Sequence, residues 1–291
     1  MDFTTTGLFA SIRRRASIPT TATTGGANAD LLVYINEELR LGLVAEVMKL
    51  REGYFKRDLD TAISGVTYRI PTRALGGKLA GVFLLDSDSN AIGDPLSEVM
   101  DEQQGRHASD GQLFGYRIRG MNLILLPSAT TTASYLRMTY YERPNELVST
   151  GYATVLSFTS TTITTAAAHG YTTASVLDIV KANEGFESLA IDQTPTVAAG
   201  SSLTMTVPTG LEVGDYVCVA KQSPVPQIPG EYHPILAQRV ACAYLEAGGL
   251  EQLPAAQLKL QEMQAAIGIL SSPRVDTGAR KLIQRHSVLG I

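Results

Sequence analysis

From Asp30 onward, Leu32, Ile35, Leu39, Leu43, Val47 and Leu50 recur at spacings of three and four. That spacing puts them on one face of an α-helix. Asp30 is a suitable N-cap and Gly53 a natural break. The predicted helix runs from Leu31 to about Glu52, roughly 33 Å at about 1.5 Å per residue. From Gly65 the period drops to two. Val66–Ile70, Leu79–Leu85, Phe114–Arg119, Asn122–Leu126 and Tyr135–Tyr141 alternate as strands, with Gly120-Met121 as a hairpin turn.

Residues 150–222 form a compositional island of short alternating runs, such as Leu203–Val207, separated by Gly and Pro. This predicts a small β-sandwich or barrel. Two lysines, Lys181 and Lys221, face six acids there: Asp178, Glu184, Glu187, Asp192, Glu212 and Asp215. Pro224, Pro226 and Pro229 then form a stiff linker. Leu236, Val240, Ala243, Tyr244 and Ala247 stripe one further helix, which Gly248-Gly249 ends. Leu253, Ala256, Leu260, Met263, Ile267 and Leu270 stripe another, and the short loop predicts an antiparallel hairpin.

The expected fold class is therefore α+β. A helical core, made of the long N-terminal helix plus the C-terminal helical hairpin, carries flanking β-strands and an inserted small all-β domain. The expected domains are an N-terminal arm (1–29), the core with its strands (30–148 and 224–272), the β insertion (149–223) and a C-terminal docking tail (273–291). The arm is rich in Thr, Gly and Ala, with a short helix near Leu8–Arg15; it is expected to lack shelter of its own.

A chain of 291 residues with 44% hydrophobic and 18% charged residues has a globular composition. The net charge of −4 argues against a dedicated nucleic-acid binder. Cys218 and Cys242 alone make no disulfide framework and read as small core residues in a cytosolic setting. No targeting signal is evident. The uncharged stretch Val148–Leu177 is too rich in Thr, Ser and Gly to span a membrane.

Catalytic spacings are absent: there is no HExxH, GxSxG or CxxC. Ala74-Leu-Gly-Gly-Lys-Leu79 resembles part of a phosphate loop, but it lacks the first glycine and has Leu79 where a hydroxyl binds magnesium, so it reads as a glycine turn. Asp86, Asp88 and Asn90 have the spacing that opens a calcium loop, but Ala91 and Ser97 replace its essential Gly and Glu. A solvated hairpin turn is the expectation there. His107, His169, His233 and His286 are scattered, with His233 read as opening a helix. No catalytic residue, cofactor or metal is expected.

Two cationic segments are candidates for partner contact. Arg13, Arg14 and Arg15 offer three charges to an acidic surface. The tail interleaves Arg274, Arg280, Lys281 and Arg285 with Leu282, Ile283, Val288, Leu289 and Ile291, too few apolar residues for a core.

Asp30–Leu39, Arg51–Phe55, Tyr68–Ala74, Tyr140–Pro144, Pro224–Pro229 into Tyr232–Ile235, and Ser272–Val275 resemble blocks of the head-to-tail adaptor (connector) proteins of tailed bacteriophages. The likeness covers about 1–148 and 224–291. Ala168–Tyr171 with Val176–Val180 is similar to small β modules of phage tail and baseplate proteins, although Ala174-Ser175 stands where those have Gly-Asp. The resemblance implies a non-enzymatic virion protein made in the host cytoplasm and placed in the neck. It implies a homo-oligomeric ring of twelve copies that joins the portal protein to a tail or nozzle protein. Genomic DNA would pass through its lumen without specific binding, and no membrane is involved. It assigns portal binding to Arg274, Arg280, Lys281, Leu282, Ile283, Arg285, Val288 and Leu289, and a secondary partner contact to Arg13, Arg14 and Arg15. The alternatives are another tail or baseplate subunit of the tail-terminator type, a carbohydrate-binding protein acting through the β domain, and a hydrolase built on His107.

Overall fold

A computed structural model describes residues 3–22, 26–99, 115–126, 133–183 and 185–271. The chain opens with helix α1 (Thr5–Ala16). The Thr4 hydroxyl accepts from the Gly7 amide at its start, and Ser17 adopts a left-handed conformation (φ 54°) at its end. Helix α2 (Asn28–Glu37) follows, then a π-helical stretch (Glu38–Leu43) and α3 (Val44–Leu50).

The uninterrupted helix expected over 31–52 is thus broken by a wide turn. The reason lies at Gly42, where an added Cβ would sit 2.5 Å from Arg239 Nη1. The Arg239 guanidinium packs into the space left by the missing side chain and pairs with Glu38 and Glu46 on either side. A π-turn admits such an insertion by widening the helix locally.

Strands β1 (Lys56–Ala62), β2 (Thr67–Arg69), β3 (Ala74–Leu85), β4 (Ser97–Glu98), β5 (Gly115–Arg119), β6 (Asn122–Leu126) and β7 (Tyr135–Glu142) build two sheets, ordered β1-β7-β3 and β2-β6-β5-β4. Gly120, at φ +62°, turns β5 into β6. Tyr68, Ile70, Val82, Leu123, Leu136, Met138 and Tyr140 fill the space between the sheets.

Strand β8 (Glu146–Leu147) leads into a seven-stranded antiparallel sheet. Its strands are β9 (Tyr152–Phe158), β10 (Thr162–Thr165), β11 (Leu177–Val180), β12 (Ser188–Gln193), β13 (Val197–Ala199), β14 (Ser202–Thr204) and β15 (Tyr216–Val219), in the order β12-β11-β15-β9-β10-β14-β13. The two end strands, β12 and β13, are joined by residues 194–196 alone. Consecutive Cα atoms lie about 3.8 Å apart, so the sheet has to curl round until its ends nearly meet. Val155, Ile163, Leu177, Ile179, Leu203 and Val217 point into the core this makes.

The chain leaves through β16 (Gln222–Ser223), which pairs in parallel with β8. These two strands form a neck. Helices α4 (His233–Ala247) and α5 (Leu253–Ser271) follow.

The expected architecture is overturned. The described chain is strand-rich, carried by four sheets with short helical pieces beside them, and not by a helical core of one long N-terminal helix plus a C-terminal hairpin. The cause is α4. It is buried on nearly every side, through Ile235, Leu236, Ala237, Val240, Ala241, Cys242 and Leu245, whereas a one-face stripe was expected. It packs most extensively on α1, and then on α5 and α2. Leu8, Phe9, Ile12 and Ala16 of α1 lie in the same core as Leu31, Ile35, Leu39 and Val240. Residues 1–29, expected to lack shelter, therefore supply a buried helix. Leu8, Phe9 and Ile12 each contribute about 1.5–3 kcal/mol through removal from water.

The neck is held to the helical layer by side chains. The Thr5 hydroxyl reaches the Pro224 carbonyl at 2.7 Å and the Val148 carbonyl at 2.9 Å, so one residue touches both crossings. Asn36 on α2 accepts from the Leu147 amide (2.8 Å) and donates to its carbonyl (3.2 Å), acting as a third strand beside β8. Thr5→Val keeps the shape but leaves the Val148 carbonyl without this donor. It is expected to lower stability by about 1–2 kcal/mol in chemical denaturation, with cleavage by added protease rising first at the neck.

Candidate functional site

The described residues bring charged groups together most densely where the β insertion meets the platform of β1, β3 and β7. Arg73 lies just before β3. Asp178 stands on β11 between Leu177 and Ile179, so the period of two turns it away from the insertion's own core and toward Arg73. Arg73 Nη1 and Nη2 hold Asp178 Oδ2 and Oδ1 at 2.7 Å each. Nη2 and Nε reach Asp192 Oδ1 (2.7 Å) and Oδ2 (3.2 Å), and Nη1 reaches Asn145 Oδ1 (3.1 Å). All five N–H groups of the guanidinium are in use.

Asp178 is equally occupied. Besides Arg73, it accepts from Asn145 Nδ2 (3.0 Å) and from the amides of Asp192 (3.0 Å) and Lys221 (2.7 Å). The Arg73 side chain is 4% exposed and that of Asp178 0%. Burial would lower the Arg73 pKa, but the bonds to Asp192 and Asp178 outweigh it and the net shift is upward. Asp192 supplies its carboxylate from a left-handed backbone conformation (φ 54°). Every donor of Arg73 and both oxygens of Asp178 are engaged, while the Asp192 carboxylate is half exposed. The chemistry of the cluster is that of a tie.

A second tie runs alongside. Arg57 Nη1 donates to Glu142 Oε2 (2.9 Å) and to the Ser188 carbonyl (2.7 Å), linking β1 and β7 to β12. Glu142 Oε1 is buried with no hydrogen-bond partner. Burial pushes the Glu142 carboxyl above the usual range, and Arg57 pulls it back only in part. A raised carboxyl pKa makes the ionised form a cost at neutral pH, one that fades as the pH falls. Gln227 completes the seam, accepting from the Asn145 amide (2.7 Å) and donating to Ser188 Oγ (2.8 Å).

The residues singled out from the sequence go elsewhere. Arg15 turns inward to Gln238 Oε1 (2.8 Å), and Arg13 donates to the Gly26 carbonyl (3.1 Å). Arg14 is exposed. Arg274, Arg280, Lys281, Leu282, Ile283, Arg285, Val288 and Leu289 lie outside the described residues, as do His107 and His286. Asp86 folds onto its own loop, accepting from the amides of Asp88 (2.9 Å) and Asn90 (2.8 Å). Among the described residues no group of three His, Cys, Asp or Glu is placed to hold a metal. Gly76 and Gly77, both at positive φ, make an irregularity in the pairing of β3 with β7. His233 opens α4. It donates to the Ile228 carbonyl (3.2 Å) and packs against Phe3 and Phe186. Cys218 and Cys242 are free and buried. Among the described residues no helix is long and apolar enough to cross a membrane.

The seam residues were not picked out from the sequence. One signal was available: an aspartate inside the apolar run Val176–Val180. Its arginine partner, 105 positions away, leaves no local trace.

Comparison with protein-family models and with curated proteins finds no match.

Arg73→Met removes the cation at nearly constant volume and leaves Asp178 buried and unpaired. A loss of about 3–5 kcal/mol in chemical denaturation is expected, with the insertion loosening before the helical layer in hydrogen exchange. A pH test addresses His233, which burial holds down at about 4 against an ordinary 6.5. The unfolded chain therefore takes up the proton first. Stability from this residue is complete above about pH 6.5 and falls by up to ~3 kcal/mol toward pH 4. His233→Gln is expected to lose less stability between pH 7 and 4.5 than the wild type.

Proposed function

We propose that this chain is a structural subunit of a tailed-bacteriophage virion, a head-to-tail adaptor that forms a ring between portal and tail. The observation that carries this reading is the seam. Arg73 and Asp178, among the most deeply buried charges of the described chain, act as a tie between the β insertion and the platform. A subunit that holds two parts of a particle in register while a genome passes under pressure needs such a tie. The blocks of sequence that resemble adaptor proteins support the same reading, and Arg73 falls within one of them, Tyr68–Ala74. The acidic balance of the chain, −4, suits a conduit, since a basic lumen would retard DNA.

In this reading the protein sits in the neck of the virion, in a ring of twelve. Arg274, Arg280, Lys281 and Arg285 meet the portal together with Leu282, Ile283, Val288 and Leu289, and the β insertion reaches toward the tail or nozzle protein. DNA crosses the lumen without specific contacts.

The test is capture by purified portal protein, with light scattering to count copies. Wild-type chain is expected to bind and to form rings on the portal. Deletion of 274–291 is expected to leave the melting curve unchanged and abolish capture. Reversing Arg280, Lys281 and Arg285 to Glu is expected to weaken capture, which in the wild type should fall steeply with salt. Undiminished binding by the truncated chain refutes the tail assignment, and failure of the wild type to bind refutes the adaptor reading.

A further inference from the structure

Helix α1 exposes one ridge, Thr6, Ala10 and Arg14, spaced four apart. A concavity lies on each side of it. One, of about 410 Å³, is walled by Phe3, Leu8, Ser11, His233 and Pro234. The other, of about 380 Å³, is walled by Phe9, Arg13, Ile18, Thr20 and Asn28. Both surfaces are mainly apolar, and Arg14 borders both. None of Arg13, Arg14 and Arg15 has a carboxylate partner among the described residues: Arg13 is half-buried and donates to the Gly26 carbonyl, Arg15 turns inward to Gln238, and Arg14 is exposed.

The complement of this face is present on the same chain. The turn between α4 and α5, Glu246 to Glu251, is exposed throughout. It carries Leu250, 39% exposed, between two carboxylates that form no ion pair among the described residues. Its shape is set by backbone bonds from Gly249 to Glu246 and from Leu250 to Leu245, both 3.0 Å, with Gly249 at φ +60°. A rigid acidic knob with an apolar tip thus matches a cationic ridge flanked by apolar grooves.

We infer that the α1 face of one copy receives the 246–251 turn of a second copy. Leu250 enters a groove, and Glu246 and Glu251 pair with Arg13 and Arg14. The contact joins unlike surfaces, so its repetition closes into a ring or extends as a filament. This inference rests on the reading of the chain as a self-assembling subunit, and names the contact.

The experiment is light scattering of the full-length chain over a concentration series at low and high salt. Four proteins are compared: wild type, Arg13→Glu/Arg14→Glu, Glu246→Arg/Glu251→Arg, and all four changes together. Thermal melting confirms that each is folded. Wild type is expected to self-associate, more weakly at high salt. Each double reversal is expected to raise the apparent dissociation constant on the order of tenfold or more, and the fourfold swap to restore association. A wild type that stays monomeric, a reversal that associates as well as wild type, or a swap that fails to restore association would each overturn the contact. Capture of the wild type by portal in the same buffers separates the two readings. If capture persists, only this contact falls; if it is also absent, the adaptor reading falls with it.

Discussion

One arginine holds two parts of this protein together. Arg73 comes from the platform, and its partners Asp178 and Asp192 come from the β insertion, with Asn145 at the threshold between them. Moving an isolated charge into such a site costs several kcal/mol, and the pair is tolerable only because each polar atom finds a partner. The geometry is therefore strict. Rotating the insertion by a few degrees would break several charge-assisted bonds at once, those of Asp178 in a place water does not reach. Intact, such a buried pair adds little net stability, whereas removing one partner is costly.

The rest of the fold converges on this seam. The two crossings, β8 and β16, run in parallel directly beside it, and Asn145 also donates to the Gln222 carbonyl at 3.1 Å. Thr5 and Asn36 then tie these crossings to the helical layer. Three apolar cores, in the helices, between the first two sheets and inside the insertion, are joined through polar bonds around residues 145–148 and 221–227 and through a fourth apolar cluster of Val180, Phe186, Cys218 and Val225 packed against Phe3. The insertion closes its own core and meets the rest of the chain through Asp178 of β11, Ser188 of β12 and Cys218 of β15.

This arrangement bears on assembly. The buried charges are consumed by internal ties, while the outward features are a cationic ridge on α1, an acidic turn after α4 and exposed apolar positions such as Leu41 and Leu258, at 83% and 60% exposure.

Much local structure was legible in the chain. Strands β2, β3 and β5 to β7 fall on the alternating runs, the Gly120 turn falls between two of them, and the Asp86 loop is the hairpin turn its composition suggested, because spacing and turn chemistry act within a few residues. The architecture was not legible. Whether α4 has one buried face or several depends on how many neighbours surround it, and its sequence reads alike in both cases. The break in the 31–52 helix is set by Arg239, nearly two hundred residues away. The ion pairs of Arg73 likewise need two distant segments placed within 3 Å. By itself the sequence determined most of the helical and extended runs, since these follow from neighbours along the backbone, but not β1 (Lys56–Ala62), whose residues show no alternation of apolar and polar positions. Which surfaces meet, and which charges are buried by that meeting, only the tertiary structure decided, because those energies arise between residues that the covalent order does not bring together.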